Sequence, residues 1–346
     1  MDHPMFTIIV PIYNAEENAE RLLTRLRQLT YEDYEVLLIN DGSTDRSKEI
    51  LEEGIKGDSR FQLITTKNQG PGLARNEGIK RASGKYVLFF DADDYPKKDC
   101  LTDYANILEQ NPETDLVISS FVFRTMSEGK LVSEKEYKVS DYRYTENEKF
   151  LSDMYELMNK QLMYVVWNKC YKREILEQND VQFKGYSSCE DRIFNVSYYQ
   201  YCQQVIFNPK IEYVYEFEGG KGITNQYKEN KYDTFKEFYE MTNFITQDQN
   251  KEGMASLLLK GTTSVILSIL ETEKLSRKEK KQEILTILSD PAMQEAKKIA
   301  RTDSKAKMLI KQLYNMPNPV ILTVLKAGSF VEVKMPGVMA ALKRGY

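Results

Sequence analysis

The stretch Glu35-Val-Leu-Leu-Ile-Asn-Asp-Gly-Ser-Thr-Asp45 decides the fold class, because an apolar run in it stops at a polar turn that contains glycine. Short apolar runs bounded in this way are typical of strands buried inside a sheet. A helical pattern follows over residues 43–53, and residues 61–65 form the next strand-like run. The order of strand, loop, helix and strand indicates a parallel pairing of the two strands.

The same unit is repeated through the first hundred residues. Residues 6–10 are strand-like, and the leucine-faced helix after them begins near Asn14 and Glu17, whose spacing resembles a capping box. Pro71 opens a helix that extends to about residue 83, and residues 85–90 are another apolar run. This alternation predicts an α/β fold with a mostly parallel sheet, helices on both faces, and ligands at the carboxyl ends of the strands.

The pattern changes further along the chain. Up to residue 225 we expect a helix ending near 110, a strand at 115–123, a polar hairpin to about 142, helices at 145–159 and 190–203, and strands around Val205 and Ile211. From residue 226 onward the pattern is almost wholly helical. We therefore predict an α/β domain over residues 1–225, with halves 1–110 and 111–225, and a mainly helical region over 226–346.

Composition excludes several classes of site. The chain has 346 residues, of which 41% are hydrophobic and 29% charged, as is ordinary for a globular protein of two domains. The four cysteines form no CxxC pair, which argues against zinc and disulfide frameworks. The single histidine, His3, leaves no histidine-based triad or metal site, so acid and base chemistry must come from carboxylates.

Charge is distributed unevenly along the chain. Residues 1–224 carry 28 basic and 38 acidic side chains, and residues 225–346 carry 20 and 14. The acidic first part would repel a phosphate backbone, so we expect no nucleic-acid partner. No run approaches the roughly 20 apolar residues of a membrane-spanning helix, and the N-terminus lacks the pattern of a signal peptide, so we expect a cytoplasmic location.

Polar residues gather where the predicted strands end, after Val10, Ile39, Thr65 and Phe90. An aromatic face, carboxylates and a glycine-rich loop at one edge of a sheet suit a nucleotide. An extended backbone would place Asp91 and Asp93 on one side, where their repulsion favours a bound Mn²⁺ or Mg²⁺. The alternative is an acidic turn that caps the helix after Pro96.

Several short motifs occur in a fixed order along the chain: residues 10–14 (VPIYN), 38–45 (LINDGSTD), 68–76 (NQGPGLARN) with Gly78, 89–94 (FFDADD), 167–169 (WNK) with 171–174 (YKRE), and 190–191 (ED). In these motifs the chain resembles the family 2 glycosyltransferases of the GT-A fold, of the bacterial polysaccharide-synthesis type. The resemblance covers about residues 5–225. It implies an inverting transferase with a UDP-sugar donor and a glycan or lipid-linked acceptor.

The resemblance also implies roles for individual residues. Asp91 and Asp93 would hold the metal ion. Residues expected to bind nucleotide or substrate are Pro11, Tyr13, Asn14, Glu17, Asp41, Lys67, Gly72, Arg75, Asp91, Ala92, Asp94, Trp167 and Glu190. Among them, Tyr13 would lie against the uracil, Asp41 would accept its N3–H, and Arg75 would approach the diphosphate. Tyr13 could instead pack in the core, and Arg75 could pair with Glu77 or Glu17 on the helix surface.

A base is needed to deprotonate the acceptor hydroxyl, and Asp191 matches the position of the family's base. Its place at a predicted helix start suggests that the helix dipole keeps it ionised, although an ordinary helix-capping charge would look the same. Cys189 stands where the family usually has glycine. Trp167, the only tryptophan, is a candidate floor for the acceptor sugar or a core residue.

Three other assignments compete with this one. A nucleotidyltransferase would need a basic, glycine-rich loop after the first strand, and that place holds Pro11 to Asn14. A catalytically degenerate scaffold would be expected to lack intact aspartates at 91, 93 and 191. A Rossmann oxidoreductase would need GxGxxG, which is absent from the sequence.

The region 226–346 is assigned to the acceptor rather than the donor. Its surplus of lysine and the apolar residues after Pro319 suit a peripheral contact with an anionic membrane, where lipid-linked acceptors lie. The same residues would equally suit packing on the catalytic domain or a homo-oligomer contact.

Overall fold

A computed structural model of the chain describes residues 3–186, 188–218 and 227–334, and side chains up to residue 327. The chain divides into two compact units, residues 1–222 and 223–346. The predicted boundary near residue 225 lies outside the described residues.

The first unit contains ten strands and eight helices in its described part. The strands are β1 (Phe6–Ile12), β2 (Tyr34–Asn40), β3 (Phe61–Thr65), β4 (Tyr86–Phe89), β5 (Tyr95–Pro96), β6 (Leu116–Ser127), β7 (Lys130–Tyr137), β8 (Tyr142–Tyr144), β9 (Lys169–Lys172) and β10 (Val205–Glu218). The helices are α1 (Glu16–Arg27), α2 (Ser47–Gly54), α3 (Pro71–Ile79), α4 (Cys100–Gln110), α5 (Asn147–Ser152), α6 (Met154–Asn159), α7 (Arg173–Gln178) and α8 (Glu190–Tyr199).

All ten strands form one sheet. Its order is β3-β2-β1-β4-β9-β6-β10-β5, with β7 on β6 and β8 on β10. The four strands at one end pair in parallel, in the registers Ile12 with Asn40, Asn40 with Thr65, and Ile9 with Phe89. Strand β9 is antiparallel to both of its neighbours, β4 and β6, whereas β6 and β10 are parallel. The prediction of an α/β fold with a mostly parallel sheet is confirmed.

The parallel strands lie in the middle of the core. The apolar residues of β1 and β4 are fully buried on both faces, as expected where helices cover a parallel sheet. The leucine face predicted for α1 packs inward through Leu22, Leu23 and Leu26. The carboxyl ends of β1 to β4 therefore meet at one edge, which is where the polar motifs follow.

Several element boundaries differ from the predictions. The capping box at Asn14 is wrong: α1 begins at Glu16, and the Asn14 side chain accepts from the Thr44 N–H at 2.8 Å instead. The helix expected at 145–159 is two short helices that meet at Asp153. The strands expected near Val205 and Ile211 are one 14-residue strand, β10, with register shifts against β6 near Asn208.

The described part of the second unit is helical. Its helices are α9 (Lys231–Ile245), α10 (Lys251–Glu271), α11 (Arg277–Ser289), α12 (Pro291–Ile299), α13 (Lys305–Tyr314) and α14 (Asn318–Lys334). Helix α10 is central, and a side chain at Gly261 would collide with the Phe235 ring of α9. By length and composition α10 could cross a membrane, contrary to the sequence-based expectation, but 67% of its apolar window is buried inside the protein. That burial is typical of a core helix.

Candidate active site

Four chain segments leave the sheet side by side at the carboxyl ends of β1 to β4. Tyr13 follows β1 and is 52% exposed, so its ring does not pack in the core. Lys67 follows β3 and is also exposed, as is Glu17 in the first turn of α1, while Pro11 is half-buried within β1. This edge therefore presents an aromatic face and a lysine ammonium to solvent.

Asp41, directly after β2, holds the loop that follows β3. The backbone N–H groups of Gln69 and Gly70 donate to its carboxylate oxygens at 3.0 and 2.8 Å, and the Thr66 hydroxyl donates at 3.3 Å. The carboxylate is buried. A uracil N3–H would have to share one of these oxygens, each of which has two lone pairs. The uracil contact of Asp41 stays a prediction.

Asn14 ties the β1 loop to the β2 loop. Its backbone is left-handed, with φ +47°, and its N–H donates to the Ser43 hydroxyl at 3.1 Å. Its side-chain oxygen accepts from Thr44, so the amide is used within the protein. These bonds fix the loop that carries Tyr13, and the contact of Asn14 with substrate stays a prediction.

The acidic run after β4 is a turn, which corrects the expectation of an extended backbone. The Asp94 N–H donates to the Asp91 carbonyl at 3.3 Å, with Ala92 and Asp93 at the corner. Asp91 and Asp93 therefore do not share one face of a strand. Asp94 is fully buried, and one of its carboxylate oxygens has no hydrogen-bond partner. Burial first, and the charges of Asp91 and Asp93 second, raise the pKa of Asp94 well above its usual range.

The described residues contain no group of three His, Cys, Asp or Glu side chains arranged around a metal position. Asp91 and Asp93 could supply two carboxylate ligands at most, and the remaining positions would fall to substrate oxygens and water. Such a set of oxygen ligands fits Mg²⁺ or Mn²⁺, which are commonly held by one or two carboxylates and phosphates.

Arg75, on α3, joins the acidic turn to the start of α8. Its Nη2 lies 2.7 Å from Asp91 Oδ1, and its Nη1 lies 3.3 Å from Asp191 Oδ1 and 3.7 Å from Glu190 Oε1. The side chain is only 4% exposed. Burial disfavours its charge, but the three carboxylates outweigh burial and raise the pKa of Arg75.

The expected surface partner of Arg75 has other contacts, because Glu77 pairs with Lys80 and Arg81. Arg75 is therefore not paired on the helix surface, and its guanidinium is not exposed to solvent in this structure. It is an internal counter-charge for three carboxylates.

Asp191 is the second residue of α8. Cys189, the residue before the helix, has a left-handed backbone with φ +62°. Burial raises the pKa of Asp191 to about 7, against the lowering effect of Arg75. The helix start alone therefore does not keep this carboxyl ionised, contrary to the sequence-based argument. A carboxyl group that titrates near neutral pH matches the range that favours general-base chemistry.

Comparison with known proteins identifies the family. A model described as Glycosyl transferase family 2 matches residues 7–179, which is half of the chain. The chain belongs to glycosyl transferase family 2. The putative glycosyltransferase EpsH of Bacillus subtilis (strain 168) is 27% identical over 305 residues, which cover 86% of each chain.

Two solved structures share the fold of this family 2 glycosyltransferase. Staphylococcus aureus TarS 1–349 in complex with UDP-GlcNAc is 21% identical with a TM-score of 0.65, over 95% of this chain and 91% of that one. The mannosyltransferase PcManGT from Pyrobaculum calidifontis, in complex with GDP-Man and Mn²⁺, is 15% identical with a TM-score of 0.51. The match covers 91% of this chain and 88% of that one.

Gly72 of the glycosyltransferase serves packing in this structure. A Cβ at this position would lie 3.2 Å from Glu190 Cγ and 3.2 Å from Phe183 Cβ. The absence of a side chain lets α3 approach the segment before α8 closely enough for Arg75 to reach Asp191. The contacts of Gly72 and Glu190 with nucleotide stay predictions.

Trp167 lies in the core of the family 2 domain, which corrects its assignment as an acceptor floor. It is 4% exposed and stacks on Tyr213 and Tyr215, with ring centroids 4.7 and 5.4 Å away. Phe121 meets it edge to face at 4.6 Å. No face of the indole is left for a sugar ring.

Two residues outside the quoted motifs, Tyr213 and Arg25, support the acidic turn of the glycosyltransferase. The Tyr213 hydroxyl accepts from the Asp91 N–H at 3.0 Å, and Arg25 Nη1 donates to the Asp94 carbonyl at 2.7 Å. Lys169 is buried and donates to the Leu162 carbonyl at 2.8 Å, and burial lowers its pKa well below its usual range. The contacts of Tyr213 and Arg25 join residues that are far apart in sequence, so no local pattern could predict them.

Proposed function

We propose that this family 2 glycosyltransferase is an inverting enzyme that moves a sugar from a UDP-sugar to a glycan or lipid-linked acceptor in cell-surface polysaccharide synthesis. The observation that carries the proposal is the buried guanidinium of Arg75, which joins Asp91 of the acidic turn to Asp191 at the start of α8. This link brings a carboxylate suited to the donor's metal and a carboxylate suited to proton removal into one cluster.

The donor would bind at the edge formed by β1 to β4. The exposed ring of Tyr13 supplies a stacking face, and the buried Asp41 supplies an acceptor for a ring N–H. A UDP-sugar is favoured because the related TarS was solved with UDP-GlcNAc. PcManGT was solved with GDP-Man, so binding of UDP and GDP should be compared directly.

Asp91 and Asp93 would hold Mn²⁺ or Mg²⁺ together with diphosphate oxygens. When bound, the ion would neutralise charge on the departing diphosphate as a Lewis acid. The chain's own contribution is to fix Asp91: Tyr213 holds its backbone and Arg75 holds its carboxylate. Lys67, exposed after β3, is placed to attract the same anion.

Asp191 would act as the base. The acceptor hydroxyl oxygen forms a bond to the anomeric carbon, its proton passes to the Asp191 carboxylate, and the bond from the anomeric carbon to the phosphate oxygen breaks to release UDP. Attack from the face opposite UDP converts an α-linked donor into a β-linked product. A pKa of about 7 for Asp191 suits proton removal near neutral pH.

The deciding experiment measures release of UDP or GDP from UDP-glucose, UDP-galactose, UDP-GlcNAc and GDP-mannose, with Mn²⁺, Mg²⁺ or EDTA. Metal-dependent release from a UDP-sugar supports the proposal. Binding of nucleotide without any turnover would indicate a degenerate scaffold, and pyrophosphate-dependent formation of a nucleoside triphosphate would indicate a nucleotidyltransferase.

We propose further that the enzyme works at the cytoplasmic face of the membrane through a peripheral contact of its last helix. Ile321 and Leu325 of α14 are buried, whereas Val320 and Val324 lie exposed. Val338, Lys343 and Arg344, which also motivated this proposal, lie outside the described residues. Sedimentation with anionic liposomes, compared for the full chain and a form ending at Asn318, tests the contact.

A further inference from the structure

An irregular segment between α6 and β9, residues 162–165, has all four of its carbonyl groups held by buried side chains. The Tyr199 hydroxyl donates to the Met163 carbonyl at 2.8 Å, and Asn195 Nδ2 donates to the next two carbonyls at 3.1 Å each. Both donors belong to α8, the helix that carries Asp191. Because a buried carbonyl group needs a donor, these bonds anchor the segment to α8.

Lys169, the first residue of β9, holds both ends of the same segment. Its Nζ donates to the Leu162 carbonyl at 2.8 Å, to the Val165 carbonyl, and to Asn168 Oδ1 at 2.7 Å. The side chain is fully buried. Burial lowers the pKa of Lys169, but three acceptors require three N–H donors, which lysine has only as an ammonium ion. The hydrogen bonds therefore favour the charged form.

The hydrogen bonds of Lys169 do not by themselves require a charge. Its three partners are neutral oxygens, and the neutral amide of Asn195 satisfies the neighbouring carbonyls. Burying an ammonium ion costs free energy unless an opposite charge compensates for the lost water. Among the residues that the structure describes, no carboxylate accepts a hydrogen bond from Lys169. A compensating charge must therefore act over a longer distance.

Asn195 indicates where that charge lies. Asn195 and Lys169 donate to the same oxygen, the Val165 carbonyl, so their side-chain nitrogens lie close together. Asp191 precedes Asn195 by four residues, which places the two on one face of α8. Asp191 raises the pKa of Lys169, and Lys169 lowers the pKa of Asp191. Each charge thus favours the other.

Other groups around Asp191 act on its ionisation in both directions. Besides Lys169, the charged and titratable side chains that interact with it are Arg75, Asp91, Tyr171, Glu190, Tyr199 and Tyr215. The carboxylates among them favour protonated Asp191, and the cations favour ionised Asp191. Arg75 also pairs with Asp91 and Glu190, so its charge is shared between three carboxylates. The carboxylate that acts on Lys169 is Asp191.

We propose that Lys169 is a positioning residue for Asp191, because it holds the segment 162–165 against α8 and places a fixed positive charge beside the helix face that carries the carboxylate. Only the role of Asp191 as a base rests on the proposed function. Lys169 itself passes no proton to substrate, since all three of its N–H groups donate within the protein.

The first test follows the pH dependence of hydrolysis of whichever of the four sugar nucleotides named above is turned over, with water as acceptor. Lys169→Gln removes the charge and keeps amide donors, and should move the acidic limb of the profile upward by about one pH unit. Hydrolysis should then be about tenfold slower than in the wild type at pH 6, and within about twofold of it at pH 9.

The matched control is Tyr199→Phe. This change removes a hydrogen bond to the same segment and no charge, so any loss of rate should be equal at every pH and the acidic limb should stay in place. An unshifted limb in Lys169→Gln, with a rate lowered equally at every pH, would give Lys169 the same purely structural role and would reject the proposal.

The second test needs neither turnover nor a folded Lys169 variant. Nitrogen-15 NMR of the lysine side chains would follow the ionisation of Lys169 in the wild type and in Asp191→Asn. A buried ammonium group exchanges its protons slowly, which separates its signal from those of exposed lysines. Lys231 is the other buried lysine of the described residues, and Lys231→Arg identifies its signal. Lys169 should lose its proton about one pH unit lower in Asp191→Asn.

Two NMR results would overturn the proposal: the absence of a Lys169 ammonium signal at pH 7, and an ionisation that Asp191→Asn leaves unchanged. The failure of the proposed function would look different. A coupled ionisation of Lys169 and Asp191 in a protein that hydrolyses none of the sugar nucleotides rejects the reaction and supports the charge pairing. Hydrolysis that depends on Asp191, without coupling to Lys169, rejects the pairing alone.

Discussion

Arg75 donates to Asp91 across 2.7 Å from a position that is almost wholly buried, and the same guanidinium reaches Asp191 at 3.3 Å. One cation thus serves a carboxylate in the turn after β4 and another at the start of α8, which lie about a hundred residues apart in sequence. Because each carboxylate would be costly to bury alone, the geometry of the whole cluster depends on this one side chain.

Replacing Arg75 should therefore destabilise the first unit. We expect Arg75→Met to lose about 3 to 5 kcal/mol at pH 8, the usual cost of removing one partner from a buried ion pair. Without the guanidinium, the folded state holds protons on these carboxylates up to higher pH than the unfolded state does, so the loss should shrink toward pH 5. Urea denaturation at the two pH values measures this, with Arg81→Met, an exposed i,i+4 pair, as control.

Asp191→Asn should nearly abolish sugar transfer while leaving UDP affinity unchanged. A base acts on the acceptor, and its loss costs about 10² to 10⁴ in rate. Because only the ionised carboxyl accepts a proton, and its pKa is raised to about 7, wild-type transfer should fall as the pH drops through 7. Turnover near the wild-type level in the variant, at saturating acceptor, would remove Asp191 from the mechanism.

Asp93→Ala should weaken UDP binding in the presence of Mn²⁺ and leave uridine binding almost unchanged, since the ion would bridge carboxylate and diphosphate. Asp41→Ala should weaken uridine and UDP alike, because Asp41 holds the loop at Gly70 and would accept from the base in the proposed site. Titration calorimetry of both ligands with Mn²⁺ and with EDTA separates the two effects. Equal UDP affinity in all conditions would contradict the metal site.

Cys189→Gly should stabilise the protein relative to Cys189→Ala by about 1 kcal/mol. Both remove the thiol, but only glycine adopts φ +62° without a Cβ clash. Thermal unfolding of the two variants side by side gives the difference. If alanine were the more stable, the left-handed backbone before α8 would not be strained.

Glu212→Gln should raise stability at pH 8 and have little effect at pH 5. Glu212 is buried on β10, where Asn208 Nδ2 donates to it at 2.9 Å, and burial raises its pKa to about 7. When folding raises the pKa of an acid, the protein loses folding stability as the pH rises from about 4.5 to 7. The cost of holding the ionised Glu212 carboxylate in the core is therefore complete above pH 7. Its size is on the order of 3 kcal/mol, which denaturation curves at both pH values would reveal.

The order of the elements in the first unit was predictable from the sequence. Continuous apolar runs such as β1 and β4 are buried on both faces, Gly42 marks where the chain leaves β2, and Pro71 marks where α3 begins. These signals are local, so they survive without any knowledge of the neighbours. The family also followed from motifs, since each motif is a short contiguous stretch.

Only the tertiary structure decided what the site residues contact. From the sequence, Arg75 could contact a diphosphate or pair on the helix surface, and Trp167 could lie under a sugar or in the core. Packing assigns Arg75 to three carboxylates and Trp167 to a stack of tyrosines in the core. The sequence could not predict that burial would raise the pKa of Asp191, because burial depends on which distant segments cover a residue. A local pattern records what the chain does within one turn or strand, but hydrogen bonds and desolvation are set by segments that meet only after folding.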